Sequence, residues 1–208
     1  IDPKKIKVIY NGIELKEVDY EKSFNKLSTE FSITKNQTIL LFVGSGFKRK
    51  GAEEFLRIFS MLKTKDIIGF VVGGESKMSY YQGLAKELKI DSRIIFTGPR
   101  TDVSDFYSIS DVFLFPTHYD PFSNVVLEAM NFENVVFTTT KNGASEILND
   151  DFIMSKPFEE KTVSSIDKIL RDKTLLANEK LKNKETSKLF SIEKNLEKTL
   201  EVIKQIEK

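Results

Sequence analysis

The chain has 208 residues, 40% of them hydrophobic and 11% aromatic, enough apolar material for one substantial core near the upper size of a single domain. Lysine plus arginine number 32 against 31 aspartate plus glutamate, which excludes a field of one sign that would draw the protein to nucleic acid or an anionic membrane. With no cysteine and a lone histidine, His118, disulfide frameworks, thiolate metal sites and an all-protein zinc site are excluded, and a reducing, cytoplasmic setting is expected.

No run approaches the roughly 18 consecutive apolar residues of a membrane span, and no basic-then-apolar leader is present. The chain opens on Ile1 rather than Met, which raises the expectation of a fragment of something longer. Lys7 to Tyr10, followed by Asn11-Gly12, reads as an opening strand and a turn, because Asn-Gly tolerates positive φ. Six short apolar runs then predict buried strands: Thr38 to Val43, Ile67 to Val72, Ile94 to Phe96, Val112 to Phe115, Val135 to Thr138 and Phe152 to Met154. After the first of them, Ala52, Phe55, Leu56, Phe59 and Leu62 form a helical stripe, with Glu53, Glu54, Arg57 and Lys63 off it. Strand followed by helix, repeated, predicts an α/β fold, a doubly wound, Rossmann-like parallel sheet of about six strands with ligands at its carboxyl ends. From about Glu159 the sequence turns rich in Lys, Glu, Asn and Ser. There Leu189, Ile192, Leu196, Leu200, Ile203 and Ile206 predict an amphipathic helix of about five turns. It is expected to pack back on its own chain, a coiled-coil partner being the alternative. The organisation expected is therefore a core of about 6–160 and a helical tail of about 160–208.

Two strand-to-helix loops carry most of the chemistry. Val43-Gly44-Ser45-Gly46-Phe47-Lys48-Arg49-Lys50-Gly51 places a glycine-rich turn, a helix start and fixed charge on Arg49 and Lys50 where an anion such as phosphate can be held. It matches neither a dinucleotide fingerprint nor a Walker A loop, and a solvated basic turn explains it equally. Phe115 to Met130 puts two carboxylates around a helix N-terminus. Asp120 before Pro121 is also what an N-cap with proline at the first helical position looks like. Glu128 lies among Val125, Val126, Leu127, Ala129 and Met130, so it turns to solvent or has a polar partner. A vicinal diol is such a partner, since each carboxylate oxygen accepts one hydroxyl. Free amides near Ser123, Asn124 and Val125 point at whatever anion sits at the helix start. Diol and diphosphate together describe a nucleotide sugar.

Lys141 to Ile147, with Asn142 and Gly143, begins another short helix and reads either as a sugar-contacting loop or a plain turn. Phe96-Thr97-Gly98-Pro99-Arg100 could present groups to a base edge, and Val72-Gly73-Gly74-Glu75 reads as a tight turn.

These segments, in this order, resemble the C-terminal, donor-binding domain of glycosyltransferase family 4 (group 1) enzymes with the GT-B fold, over Val8 to about Glu160. The most telling part is the pair of acidic residues Asp120 and Glu128 within Asp-Pro-Phe-Ser-Asn-Val-Val-Leu-Glu-Ala-Met. Phe-Lys-Arg-Lys-Gly and Asn-Gly-Ala-Ser-Glu-Ile resemble the branch that builds lipopolysaccharide cores. The resemblance implies that Glu128 accepts from the ribose, Asp120 reaches donor-sugar hydroxyls, and Arg49 with Lys50 holds the diphosphate beside amides of Ser123 and Asn124. Three positions differ: Asp120 replaces the usual glutamate, Ser45 the arginine often found after the first loop glycine, and Glu133-Asn134-Val135 the Gly-x-Pro after the motif helix.

The reaction implied is retaining transfer of a hexose to a saccharide or glycolipid, in which charge builds on the departing diphosphate. No Asp-x-Asp occurs, so no metal ion is expected and the cations with the helix terminus take that task. No cofactor is implied, the donor, expected to be a UDP-hexose, being a substrate. The acceptor-binding half of a GT-B enzyme is expected to be missing from this chain, leaving it inactive alone, with the full-length protein peripheral at the inner membrane. The rival readings are an epimerase or phosphorylase of the same fold and a regulatory or scaffolding domain.

Overall fold

A computed structural model gives the structure of the protein and describes residues 5–206. Ile1, the last two residues of the expected tail and the Ile206 side chain lie outside the described residues. Six strands, β1 (Thr38–Val43), β2 (Ile67–Val72), β3 (Ile94–Gly98), β4 (Val112–Phe115), β5 (Val135–Thr139) and β6 (Ile153–Met154), pair in parallel in the order β3-β2-β1-β4-β5-β6. The four central strands, β2, β1, β4 and β5, are short, apolar and almost wholly buried, which is why the sequence shows them as continuous rather than alternating stretches, whereas β3 at the edge buries only Ile94.

Helices cover both faces. The helices are α1 (Tyr20–Phe31), α2 (Phe47–Lys50), α3 (Ala52–Met61), α4 (Met78–Glu87), α5 (Val103–Ile109), α6 (Asn124–Asn131), α7 (Glu160–Arg171), α8 (Lys173–Ser187) and α9 (Ile192–Ile206). On one face Phe70 meets Phe31 of α1 and Phe106 of α5, and on the other Phe42 meets Phe47 and Phe55. The expected α3 stripe is buried along its whole length, and Ile58 beside it is buried too. The strand order reverses between β1 and β4, so a crevice is expected at the carboxyl edge, beside the loops that follow these two strands.

Two expectations need correction. Lys7 to Tyr10 is not a strand: the segment pairs with nothing until Ile13, which forms an isolated bridge with Ser191. The tail beyond Glu159 is helical and holds three α-helices, of which the amphipathic one is the last. The first, α7, buries Val163, Ile166, Ile169 and Leu170, and its buried Asp167 accepts from the amides of Lys63 and Thr64 and from Thr64 Oγ1, tying α7 to the end of α3. Finally, α9 is the predicted helix but does not pack back: Leu196 is 55% exposed and Leu200 and Ile203 are each 46% exposed. Ile13, Tyr10 and Asn195 hold only its first turn, through Ile192 N to Ile13 O and Asn195 Nδ2 to Tyr10 O.

Because a solvent-facing side chain loses little when trimmed, Leu196→Gln and Leu200→Gln should each change the stability of this chain by less than about 0.5 kcal/mol. Phe55→Ala should cost about 3–5 kcal/mol. Urea unfolding of the three variants checks the contrast.

Candidate functional site

The loops after β1 and β4 are held together by close backbone approaches that only glycine permits. Gly51 has φ 81, and a Cβ there would lie 2.0 Å from the Pro116 carbonyl oxygen. The Arg49 carbonyl accepts from His118 N at 2.9 Å and Thr117 Oγ1 at 3.0 Å. Gly73, with φ 138, would place a Cβ 1.7 Å from the Gly44 carbonyl oxygen, so Val72-Gly73 is a contact between strand ends and more than a tight turn. Gly44 itself packs on the Lys50 stem and the Phe115 ring, and its amide donates to Val72 O.

Inside this clasp Lys50 Nζ forms an ion pair and hydrogen bond with Asp120 Oδ2, the two side chains being 15% and 8% exposed. The ammonium also lies 5.1 Å from the Phe115 ring centroid, a cation–π arrangement. This rejects the capping account of Asp120: α6 begins at Asn124 with Ser123 as its N-cap, three residues further on. It also joins two groups to which the resemblance gave separate tasks. Arg49 stays exposed and spends one donor on Tyr119 O at 3.0 Å. A guanidinium has five, so most of its capacity faces outward.

At the start of α6, Ser123 N donates to Asn142 Oδ1 at 3.3 Å. Among the described residues the Asn124 and Val125 amides make no protein hydrogen bond, and the Ser123 hydroxyl, though buried, has no partner. Unmet donors at the positive end of a helix dipole are the kind of group that can hold an anion.

Asn142 and Gly143 serve differently from the ligand contacts expected. The Asn142 side chain is 1% exposed and already occupied, Oδ1 by Ser123 N and Ala144 N, Nδ2 by Thr138 Oγ1 at 3.0 Å. It is a bracket that sets the loop before α6. Gly143 donates to Asp120 O at 3.0 Å, and a Cβ on it would meet the Pro121 carbonyl oxygen at 1.9 Å. It lets the two loops zip.

Glu128 opens onto a cavity of about 430 Å³ that Val43, Thr101, Ser104, Tyr107 and Asn124 help to line. One of its carboxylate oxygens, Oε2, accepts from the Tyr107 hydroxyl at 3.1 Å. Arg100 does not line this cavity. Its guanidinium spends four of its five donors on Glu30 and Asp102, at 2.7 to 3.0 Å, and lies over Phe31 and Phe106. The residues just after it, Thr101 and Ser104, take the place expected of it. Sequence reasoning missed them and Tyr107; the turn at Gly98-Pro99 marked the loop but not which side chains face inward.

Two peripheral groups complete the crevice. His118 Nε2 meets Glu54 Oε1 at 2.8 Å and is half exposed, a rim position. Glu75 caps α2 through Phe47 N at 2.9 Å, and bonds from Ser76 Oγ, Lys77 N and Phe47 N hold its carboxyl below the usual carboxylate range. The first amide of α2 is thus already taken by a carboxylate, whereas the Asn124 and Val125 amides at the start of α6 are not.

Removing one member of a buried pair leaves an uncompensated charge, so Lys50→Met should destabilise the fold by about 3–5 kcal/mol. Calorimetry of Lys50→Met beside the double variant Lys50→Met/Asp120→Leu checks this, the double variant recovering part of the loss. The Arg100 network gives a pH test. Arg100 and then Lys26 hold the Asp102 carboxyl well below its ordinary 3.8, against the opposing effect of burial. A depressed folded-state pKa gives stability that is full above the unfolded value and lost as pH falls toward the folded one. The gap in stability between the wild type and Asp102→Asn should therefore be constant near neutrality and shrink below about pH 4, as followed by denaturation at a series of pH values.

The sequence profile of the family described as glycosyl transferases group 1 matches residues 23–189. The lipopolysaccharide glucosyltransferase WaaG of Escherichia coli (strain K12) is 29% identical over 140 residues, covering 64% of this chain and 37% of WaaG. The capsular polysaccharide biosynthesis glycosyltransferase CapM of Staphylococcus aureus is 28% identical over 172 residues, covering 79% of this chain and 45% of CapM. The chain therefore spans less than half the length of these two relatives. Among solved structures, a glycosyltransferase from Rickettsia africae ESF-5 aligns with a TM-score of 0.90 at 25% identity, covering 100% of this chain and 59% of that one. HepE of Anabaena, in a crystal with UDP and glucose, aligns with a TM-score of 0.86 at 18% identity over 96% of this chain and 57% of that one, a likeness of fold. Profile, relatives and fold agree, and the chain belongs to the glycosyl transferases group 1 family.

Proposed function

We propose that this chain binds a nucleotide-diphosphate sugar and forms the donor half of a retaining, metal-independent glycosyltransferase that passes a hexose to a saccharide or glycolipid. The observation that carries the reading is the placing of unmet donors one helical turn from a carboxylate that keeps open acceptor sites. The Asn124 and Val125 amides and the orphaned Ser123 hydroxyl lie at the start of the helix that, one turn later, directs Glu128 into the neighbouring cavity. A diphosphate sits at the helix start with Arg49 beside it, and the ribose diol donates to Glu128.

In this reading the Lys50–Asp120 pair is the exchangeable element. Donor-sugar hydroxyls take up the Asp120 carboxylate, and the ammonium of Lys50 turns part of its field to the leaving diphosphate, a preorganised electrostatic contribution. The cytoplasmic donor is a UDP-hexose. The acceptor is held by the portion of the relatives' length that this chain does not span, so the chain alone binds donor without transferring it, and the full-length protein works at the inner membrane as a peripheral enzyme.

Thermal shift and calorimetry with UDP, UDP-glucose and uridine test the reading, since a ligand that binds only the native state at 100 times its Kd stabilises it by about 2.7 kcal/mol. UDP and UDP-glucose should stabilise the chain. Glu128→Ala should weaken UDP by about 1–3 kcal/mol, and Arg49→Ala should narrow the gap between UDP and uridine. No stabilisation by any of the three ligands would sink the donor-binding role and favour a scaffolding domain.

A further inference from the structure

Glu128 is carried by α6 on a side chain with three rotatable bonds, yet the cavity it faces needs one carboxylate oxygen held in place. The structure supplies a holder from a different helix. Tyr107, on α5, is 2% exposed and its hydroxyl donates to Glu128 Oε2 at 3.1 Å. The ring is fixed on both sides, lying near-parallel to Phe132 at 5.9 Å between centroids and tilted against Phe113 at 5.8 Å. Its backbone is fixed as well, because Asn134 Nδ2 and Ser110 N both donate to the Tyr107 carbonyl. Burial pushes the phenol well above its ordinary range, so it stays a proton donor at any physiological pH.

We propose that Tyr107 is a positioning residue that fixes the Glu128 carboxylate for a vicinal diol, the Tyr107 bond to Oε2 aiming the remaining acceptor sites of the carboxylate into the cavity. The inference rests on the reading of Glu128 as the ribose acceptor and deepens it. A carboxylate has about four lone-pair sites. Tyr107 occupies one of them and restricts the side-chain rotation that would scatter the others. The cavity lining includes both residues, so a diol bound there meets a carboxylate that the phenol already holds.

The test compares UDP with 2′,3′-dideoxyuridine diphosphate, which lacks the diol, by calorimetry on four proteins: wild type, Tyr107→Phe, Glu128→Ala and the double variant. The proposal expects wild type to favour UDP and Glu128→Ala to lose the preference. Tyr107→Phe should lower the preference by about tenfold while leaving the dideoxy affinity within about twofold of wild type. The double variant should behave as Glu128→Ala alone, because removing the carboxylate leaves the phenol nothing to position. A merely structural tyrosine lowers both affinities together and leaves the preference intact; that result, with Glu128→Ala still losing it, overturns the positioning role alone. A wild type indifferent to the diol overturns the ribose reading and the proposal together. Should Tyr107→Phe fail to fold, wild type carrying ¹³C at the tyrosine Cζ answers the same question. UDP must shift the Tyr107 resonance and the dideoxy analogue must not, and equal shifts overturn the proposal.

Discussion

A lysine and an aspartate 70 residues apart meet in the crevice where the sheet reverses its strand order, and the neighbouring geometry follows from the need to bury them together. Two charges taken out of water are tolerated only where their positions are firmly held, because the desolvation cost is offset only at good geometry. The surrounding loops meet that requirement. Glycine at positions 51 and 143 brings backbone against backbone on either side of the pair, and the Arg49 carbonyl takes two further bonds from the opposite loop. Loops clasped this tightly also fix where α6 begins, and so where its unmet amides lie.

The charge of the site is arranged by sign and by depth. Arg49 is an exposed cation with most of its donors open; the amides and the buried hydroxyl of the α6 start follow; the Lys50–Asp120 pair is neutralised within the clasp; and Glu128 brings a carboxylate to a separate cavity. Positive and negative binding capacity are thus separated by about one helical turn, which suits a ligand that carries an anion at one end and a diol at the other. A chain with a formal charge of +1 creates this locally, with no field of the whole protein behind it.

The sheet was legible because parallel strands buried on both faces must be apolar throughout, and all six fall where the apolar runs do. Stripe position was equally legible in α3. Periodicity, however, reports which side of a helix is apolar and not what covers it, so α9 was found while its exposure was not. In α7 the stripe sits among charged residues whose composition reads as a solvated tail, and its anchor, Asp167, has no local signature. At the site, residue types and spacing put Glu128 on a helix, as observed. Side-chain direction was beyond them: Arg100 turns to Glu30 and Asp102 while Thr101 faces inward, and Asn142 spends its amide holding a loop. Whether Asp120 caps a helix or meets Lys50 depends on where α6 starts, a tertiary matter that the dipeptide Asp-Pro could not settle.

The strand order also bears on how the molecule comes together. β1, β2 and β3 lie side by side in the sequence in which they are made, each joined to the next by a local crossover, whereas β4 must return across the sheet to dock on the far edge of β1. Contacts of large sequence separation close late, because the chain must lose loop entropy before they form. A chain halted after β3 would therefore have half its sheet and a compact apolar layer, with Lys50 still in water and no crevice at all. The crevice, and the burial of Lys50 within it, depends on the least local pairing of the sheet, which makes it a report on the β1–β4 closure and not on the mere presence of hydrophobic strands.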